Sequence, residues 1–164
     1  MKKKIVIVDD RPWKFQESIR SLQKGGVIFY KTIFYPNNMI PKETQDELME
    51  DYKNSTKVDV IQVNNQSDFL AQMNELYNDQ DIIFLVDYDL KGDMNRNDFF
   101  TRINVKYALL KDREGKRIWF YTTGPNDIKG LLRETFPNNI ISVPNYSLGA
   151  LGWDEEQVKA IAEG

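Results

Sequence analysis

Two uninterrupted apolar runs, rich in β-branched residues, constrain the fold of this chain more than any other feature of its sequence. The first covers residues 5–8 and the second covers 82–86, and neither alternates with polar residues. A strand that is apolar throughout is covered on both faces, which is typical of a parallel sheet between two layers of helices. The two runs therefore predict central strands of an α/β fold.

Strands alternate with helices along most of the chain. Three more strands are expected, at 58–63, 117–121 and 139–143. Amphipathic helices are expected between and after the five strands, two of them around 98–111 and 126–136. This pattern predicts a doubly wound, five-stranded parallel sheet with helices on both faces.

The segment from about 26 to 56 does not follow this alternation. Its apolar first part, 27–35, predicts an extra strand or a hairpin arm, and a helix is expected over 42–52. We interpret the segment as an insertion between the first helix and the second strand, either a partner-binding surface or an addition that widens the sheet. The whole chain, 1–164, has the usual size of one domain.

The composition excludes several kinds of chemistry. The chain has no cysteine and no histidine, so disulfides, thiolate chemistry, Ser-His-Asp triads and His-based zinc sites are ruled out. The net charge is −3, and no basic stretch beyond Lys2 to Lys4 indicates nucleic-acid binding. No apolar run approaches the roughly 20 residues that span a bilayer. We therefore expect a cytoplasmic protein without membrane contact.

Acidic residues follow two of the predicted strands. Asp9 and Asp10 close the first strand, whereas Asp87 closes the strand at 82–86 and Asp89 comes two residues later. Neighbouring parallel strands would bring these carboxylates together, and they cannot all stay ionised unless a cation neutralises them. Oxygen ligands without His or Cys indicate Mg²⁺. Thr122 closes the next strand and offers a hydroxyl to a phosphoryl oxygen.

Each of these features also has a purely structural interpretation. Acids after a strand often cap the following helix, as Asp9 and Asp10 would before Pro12. Asp87 and Asp89 suit an ordinary turn, and Thr122 suits a strand end by β propensity. The joint placement at the carboxyl ends of strands favours a functional site.

The order of these motifs resembles the receiver domain of two-component response regulators. Residues 4–10 resemble its first strand with the acidic pair, 82–92 resemble its phosphoacceptor strand and loop, and 120–123 resemble its fourth strand with the switch hydroxyl. The resemblance covers nearly the whole chain except 26–56. It implies a flavodoxin-like fold with strand order 2-1-3-4-5.

The resemblance also implies a role for each site residue. Asp87 would accept the phosphoryl group, and Thr122 would follow that group as the switch hydroxyl. Asp10 and Asp87 would bind Mg²⁺ directly, Asp9 through water, and Asp89 through its backbone carbonyl. The upstream partner would be a histidine kinase or phosphotransfer protein, and the downstream partner a protein effector. A homodimer is common in that family, and beyond self-phosphorylation no enzymatic activity is expected.

Three positions depart from the family pattern. Lys91 stands in the loop after Asp87 where the family usually has proline. Val143 stands before Pro144, where the family has a lysine that pairs with the phosphoryl group, and Ile140 stands where an aromatic switch residue is often found. Losing that lysine removes one cation from a highly charged site.

Two alternatives therefore stay open. The first is a pseudo-receiver that acts as a protein-interaction module without phosphorylation. The second is a haloacid-dehalogenase-like phosphatase, in which Asp87 and Asp89 would be the nucleophile and the acid-base residue. Against the phosphatase, the second residue after Asp89 is Lys91 rather than Thr or Val, and no late acidic motif follows Thr122 at the expected place.

Overall fold

The computed structural model describes residues 2–36, 39–88, 90, 117–122, 139–144 and 151–164. In chain order, the elements are β1 (Lys4–Asp9), a 3-10 turn (Pro12–Phe15), α1 (Gln16–Lys24), β2 (Ile28–Phe34), α2 (Lys42–Thr56), β3 (Asp59–Gln62), α3 (Gln66–Tyr77), β4 (Ile82–Asp87), β5 (Ile118–Tyr121) and α4 (Glu155–Glu163). Over these ranges no helix has the length and apolar composition of a membrane span. The helices expected around 98–111 and 126–136 lie outside the described residues.

The five strands form one parallel sheet in the order β3-β2-β1-β4-β5. The two strands predicted from their apolar runs, β1 and β4, are central neighbours that pair from Lys4 and Ile82 to Val8 and Val86. The sheet confirms the α/β, flavodoxin-like fold class, although the strand order differs in detail from 2-1-3-4-5.

The difference in order comes from the segment interpreted as an insertion. It contributes β2 and α2, and β2 pairs with β1 along its whole length, whereas β3 pairs only with Lys31 to Phe34 of β2. The strand predicted at 58–63 is therefore one place further from β1 than expected. The physical reason is solvent exposure. Asp59 and Gln62, at the two ends of β3, are polar and exposed, which suits a strand at the edge of the sheet.

The last predicted strand, at 139–143, is shorter than expected. Among the residues described there, Ile140 forms an isolated parallel bridge with Phe120. The amide of Phe120 donates to Asn139 O, and the amide of Ile141 donates to Phe120 O. This bridge continues the sheet beyond β5.

Helices cover both faces of the sheet, and each face has its own apolar core. On one face, α3 packs Phe69 and Met73 against Val6, Val8 and other strand residues. The opposite face is covered by α1, α2 and α4, and it contains most of the buried aromatic rings. Both faces of β1 are therefore buried, as its unbroken apolar run predicted.

The strand β2 should contribute to stability as a core strand. Ile33 is fully buried, whereas Ile28 on the same strand is 45% exposed. We expect Ile33→Ala to lower the free energy of unfolding by about 2–5 kcal/mol, because it leaves a cavity. The control Ile28→Ala should cost less than about 1 kcal/mol. Urea unfolding measures both, and equal costs would contradict a core position for β2.

Candidate functional site

The carboxyl ends of β1 and β4 lie side by side at the point where the order of the strands in the sheet reverses direction. From β1 the chain order runs outward to β2 and β3 on one side, and from β4 to β5 on the other. Ligands of open α/β sheets bind in the crevice at such a switch point. Val8 pairs with Val86, so the next residues, Asp9 and Asp87, end the two strands side by side.

Three carboxylates meet at this point. Asp9, Asp10 and Asp87 each place one carboxylate oxygen within 4.8 Å of the others. Asp9 and Asp10 are only 2% and 3% exposed, whereas Asp87 is partly buried. Because buried negative charges at this spacing repel one another, the cluster favours either a proton or a cation.

Asp9 is held at both of its carboxylate oxygens. The backbone amide of Arg11 donates to Oδ1 at 2.8 Å, and the hydroxyl of Tyr121 donates to Oδ2 at 2.5 Å. The amide of Tyr35 donates to the backbone carbonyl of Asp9 at 3.2 Å. These bonds fix the orientation of the carboxylate and use one lone pair of each of its oxygens.

Burial and neighbouring charges shift the pKa values of Asp9 and Tyr121. Burial, followed by the nearby charge of Asp10, raises the pKa of Asp9 to about 7, although the hydrogen bonds from Tyr121 and Arg11 oppose the shift. Burial and the charges of Asp9 and Asp87 raise the pKa of Tyr121 well above its usual range. At neutral pH the phenol is therefore protonated and donates its hydrogen bond to Asp9.

The three carboxylates fit a hard divalent cation. They supply oxygen ligands alone, which suit Mg²⁺ or Ca²⁺ rather than zinc or copper. Oxygens on opposite sides of Mg²⁺ stand about 4.2 Å apart, at bond lengths of about 2.1 Å. Neighbouring oxygens of the same octahedron stand closer, about 3.0 Å apart. The three acidic oxygens, which lie within 4.8 Å of one another, would therefore have to draw together to bind one cation directly.

The structure brings together three of the site residues that the sequence predicted, Asp9, Asp10 and Asp87. Thr122 follows β5 directly and is buried, one residue beyond the Asp87–Tyr121 pair of the β4–β5 ladder. Asp89 lies outside the described residues. Val143 is partly buried and packs against the hydrophobic core that contains Tyr121 and Trp153.

Tyr121 is a site residue that the sequence interpretation missed. The sequence pattern places it only in the strand at 117–121, yet its buried hydroxyl donates to Asp9 Oδ2. The available signal was its position as the last residue of an apolar strand, opposite Asp87 in the ladder. Strand alternation alone did not show that its side chain turns toward the first strand.

No family model, curated protein or solved structure matches this chain. The chemistry of the site is therefore inferred from its own residues.

The raised pKa of Asp9 predicts how the stability of the metal-free protein depends on pH. Asp9 keeps its proton to about pH 7 when folded but only to about pH 4 when unfolded, so the free energy of unfolding should fall as the pH rises from 5 to 7. The loss should be on the order of 2 kcal/mol. Asp9→Asn should remove most of this slope, as measured by urea unfolding in EDTA.

The matched control is Asp59→Asn, which removes an exposed carboxylate at the edge of the sheet. It should leave the slope between pH 5 and 7 as in the wild type. If Asp9→Asn also left the slope unchanged, the proton would not reside on Asp9.

Proposed function

We propose that this chain is a phosphoaspartate receiver domain of a two-component or phosphorelay system, with Asp87 as the phosphoacceptor and Mg²⁺ as the cofactor. The observation that supports this most is the convergence of Asp9, Asp10 and Asp87 at the switch point of the sheet. The order of the motifs along the chain, described above, resembles that of receivers.

Burial divides the three acids into two roles. Asp87 is the most exposed of them, so its carboxylate is the one that a phosphodonor reaches. One of its oxygens attacks the phosphorus of the donor, forming an acyl phosphate as the bond from phosphorus to the leaving group breaks. A cation held by these carboxylates would offset the negative charge of the incoming phosphoryl oxygens.

In this proposal Asp10 and Asp87 would bind the cation directly, and the backbone carbonyl of Asp89 would complete the protein ligands, as the resemblance to receivers implies. Asp9 acts through water, which agrees with the two hydrogen-bond donors that already occupy its oxygens. Thr122, next to the last pair of the β4–β5 ladder, hydrogen-bonds a phosphoryl oxygen and so responds to phosphorylation.

The proposal implies partners of defined chemistry. A histidine kinase or phosphotransfer protein in the cytoplasm donates the phosphoryl group from a phosphohistidine, breaking its P–N bond. A downstream protein recognises the surface that changes on phosphorylation, with a second copy of the chain as one option. The domain itself turns over no substrate other than its donor.

A second candidate function is a pseudo-receiver, which binds a partner without phosphorylation. The packing of Val143 favours it, because a partly buried apolar side chain stands where the resemblance implies the lysine that would pair with the phosphoryl group. The acidic cluster favours the first candidate, since a module without metal or phosphoryl chemistry gains nothing from buried carboxylates that repel one another.

The test is the intact mass after incubation with acetyl phosphate, with and without Mg²⁺. We expect one added phosphoryl group in the wild type with Mg²⁺, and no adduct in Asp87→Asn, which lacks the nucleophilic oxygen. The control Asp46→Asn, an exposed carboxylate on α2, should be phosphorylated like the wild type.

The other outcomes separate the alternatives. A wild type that stays unmodified with Mg²⁺ would contradict the receiver and favour the pseudo-receiver. Continuous release of phosphate from a phosphate ester, lost in Asp87→Asn, would instead indicate the phosphatase.

A further inference from the structure

Tyr121 connects the acidic cluster to the aromatic core beneath it. Its hydroxyl donates to Asp9 Oδ2 at 2.5 Å, and its ring packs edge-on against Phe15 and Trp153, with centroid distances of 5.1 and 5.4 Å. The side chain is 1% exposed. A movement of the Asp9 carboxylate therefore displaces the ring of Tyr121, which is enclosed by neighbouring side chains.

Trp153 is the centre of that aromatic group. Its indole stacks on Phe15 at 4.8 Å with an interplanar angle of 8°, and it lies nearly parallel to Phe29 at 6.1 Å. Aromatic pairs at these distances depend on ring orientation, so a displaced Tyr121 edge changes the preferred position of the indole.

Trp153 also fixes the start of α4. Its backbone amide donates to the hydroxyl of Ser18 at 3.2 Å, which ties it to α1. The next residue, Asp154, donates its amide to Ser142 O at 2.8 Å and caps α4 by accepting from the amide of Gln157. A change in the position of Trp153 is thus passed to the first turn of α4.

The indole N–H of Trp153 is buried without a hydrogen-bond partner in the structure as described. Buried polar groups are nearly always paired, and such an exception is a source of strain. Because no hydrogen bond holds the indole nitrogen, a small shift of the ring breaks none there.

We propose that Tyr121 is a positioning residue that couples the state of Asp9 to the packing of Trp153 and so to α4. The meaning of this coupling for signalling rests on the proposed function, in which cation binding and phosphorylation act on the same carboxylates. The hydroxyl of Tyr121 transmits the change, and its ring passes it to Trp153. Since such coupling is reciprocal, a partner bound at α4 also alters the affinity of the acidic cluster for its cation.

The experiment uses fluorine NMR of the full chain labelled with 5-fluorotryptophan. The protein has three tryptophans, so Trp13→Phe and Trp119→Phe assign two resonances and leave the third to Trp153. The resonances are compared in wild type, Asp9→Asn, Tyr121→Phe and the double variant, all free of metal. Tyr121→Phe keeps the ring in the aromatic core and removes only the hydroxyl.

We expect Asp9→Asn to shift the Trp153 resonance in the wild-type background and to leave it unmoved in the Tyr121→Phe background. Trp13, in the turn that follows Asp9, should respond to Asp9→Asn in both backgrounds, which shows that the substitution is felt locally. An equal Trp153 shift in both backgrounds, or none in either, would overturn the coupling through Tyr121.

Tyr52→Phe is the matched control. It removes another buried hydroxyl on the same face of the sheet, but that hydroxyl pairs with Thr32 at 2.7 Å rather than with an acid. Asp9→Asn should therefore still shift Trp153 in the Tyr52→Phe background. Loss of the shift there would assign the effect to general loosening of the core and contradict the proposal.

A second arm adds Mg²⁺ to the wild type and to Tyr121→Phe. We expect Mg²⁺ to move Trp13 in both proteins and Trp153 in the wild type alone. If Mg²⁺ moves no resonance while the Asp9→Asn comparison still depends on Tyr121, the proposed function fails and the coupling stands. If Mg²⁺ moves Trp153 equally in both proteins, the coupling fails and the metal site stands.

Discussion

The pairing of β1 with β4 is the constraint on which the rest of this structure depends. It places Asp9, Asp10 and Asp87 at one point, with oxygens within 4.8 Å of one another and two of the acids buried. Such an arrangement costs folding free energy through desolvation and repulsion unless a proton or a cation compensates it. The raised pKa of Asp9, the fit to a hard cation and the proposed receiver function all follow from this one juxtaposition.

Tyr121 gives the acidic cluster a connection to the rest of the fold. Its hydroxyl donates to Asp9, while its ring lies against Trp153, which precedes α4. In the proposed receiver, a phosphoryl group on Asp87 changes the charge around Asp9 and therefore the hydrogen bond from Tyr121. We propose that Tyr121 passes this change to Trp153 and α4.

Much of the fold and the three acids of the cluster could be predicted from the sequence. The apolar runs in β1 and β4 can only be buried between helices, and acids directly after neighbouring parallel strands must meet. The place of β2 could not be predicted in this way, because its exposed Ile28 and Tyr30 obscure a strand whose second half is buried. The role of Tyr121 was also missed, because it depends on where one side chain turns at the end of a strand.

The most direct test of the central claim is calorimetric titration of the metal-free protein with Mg²⁺ at pH 8, for wild type and Asp10→Asn. At this pH the Asp9 carboxyl, with a pKa of about 7, is mostly ionised, so protons compete little with the cation. The account predicts saturable binding of one Mg²⁺ by the wild type, weakened at least tenfold in Asp10→Asn, which removes a negative ligand. No saturable binding by the wild type, or equal binding by both proteins, would contradict it.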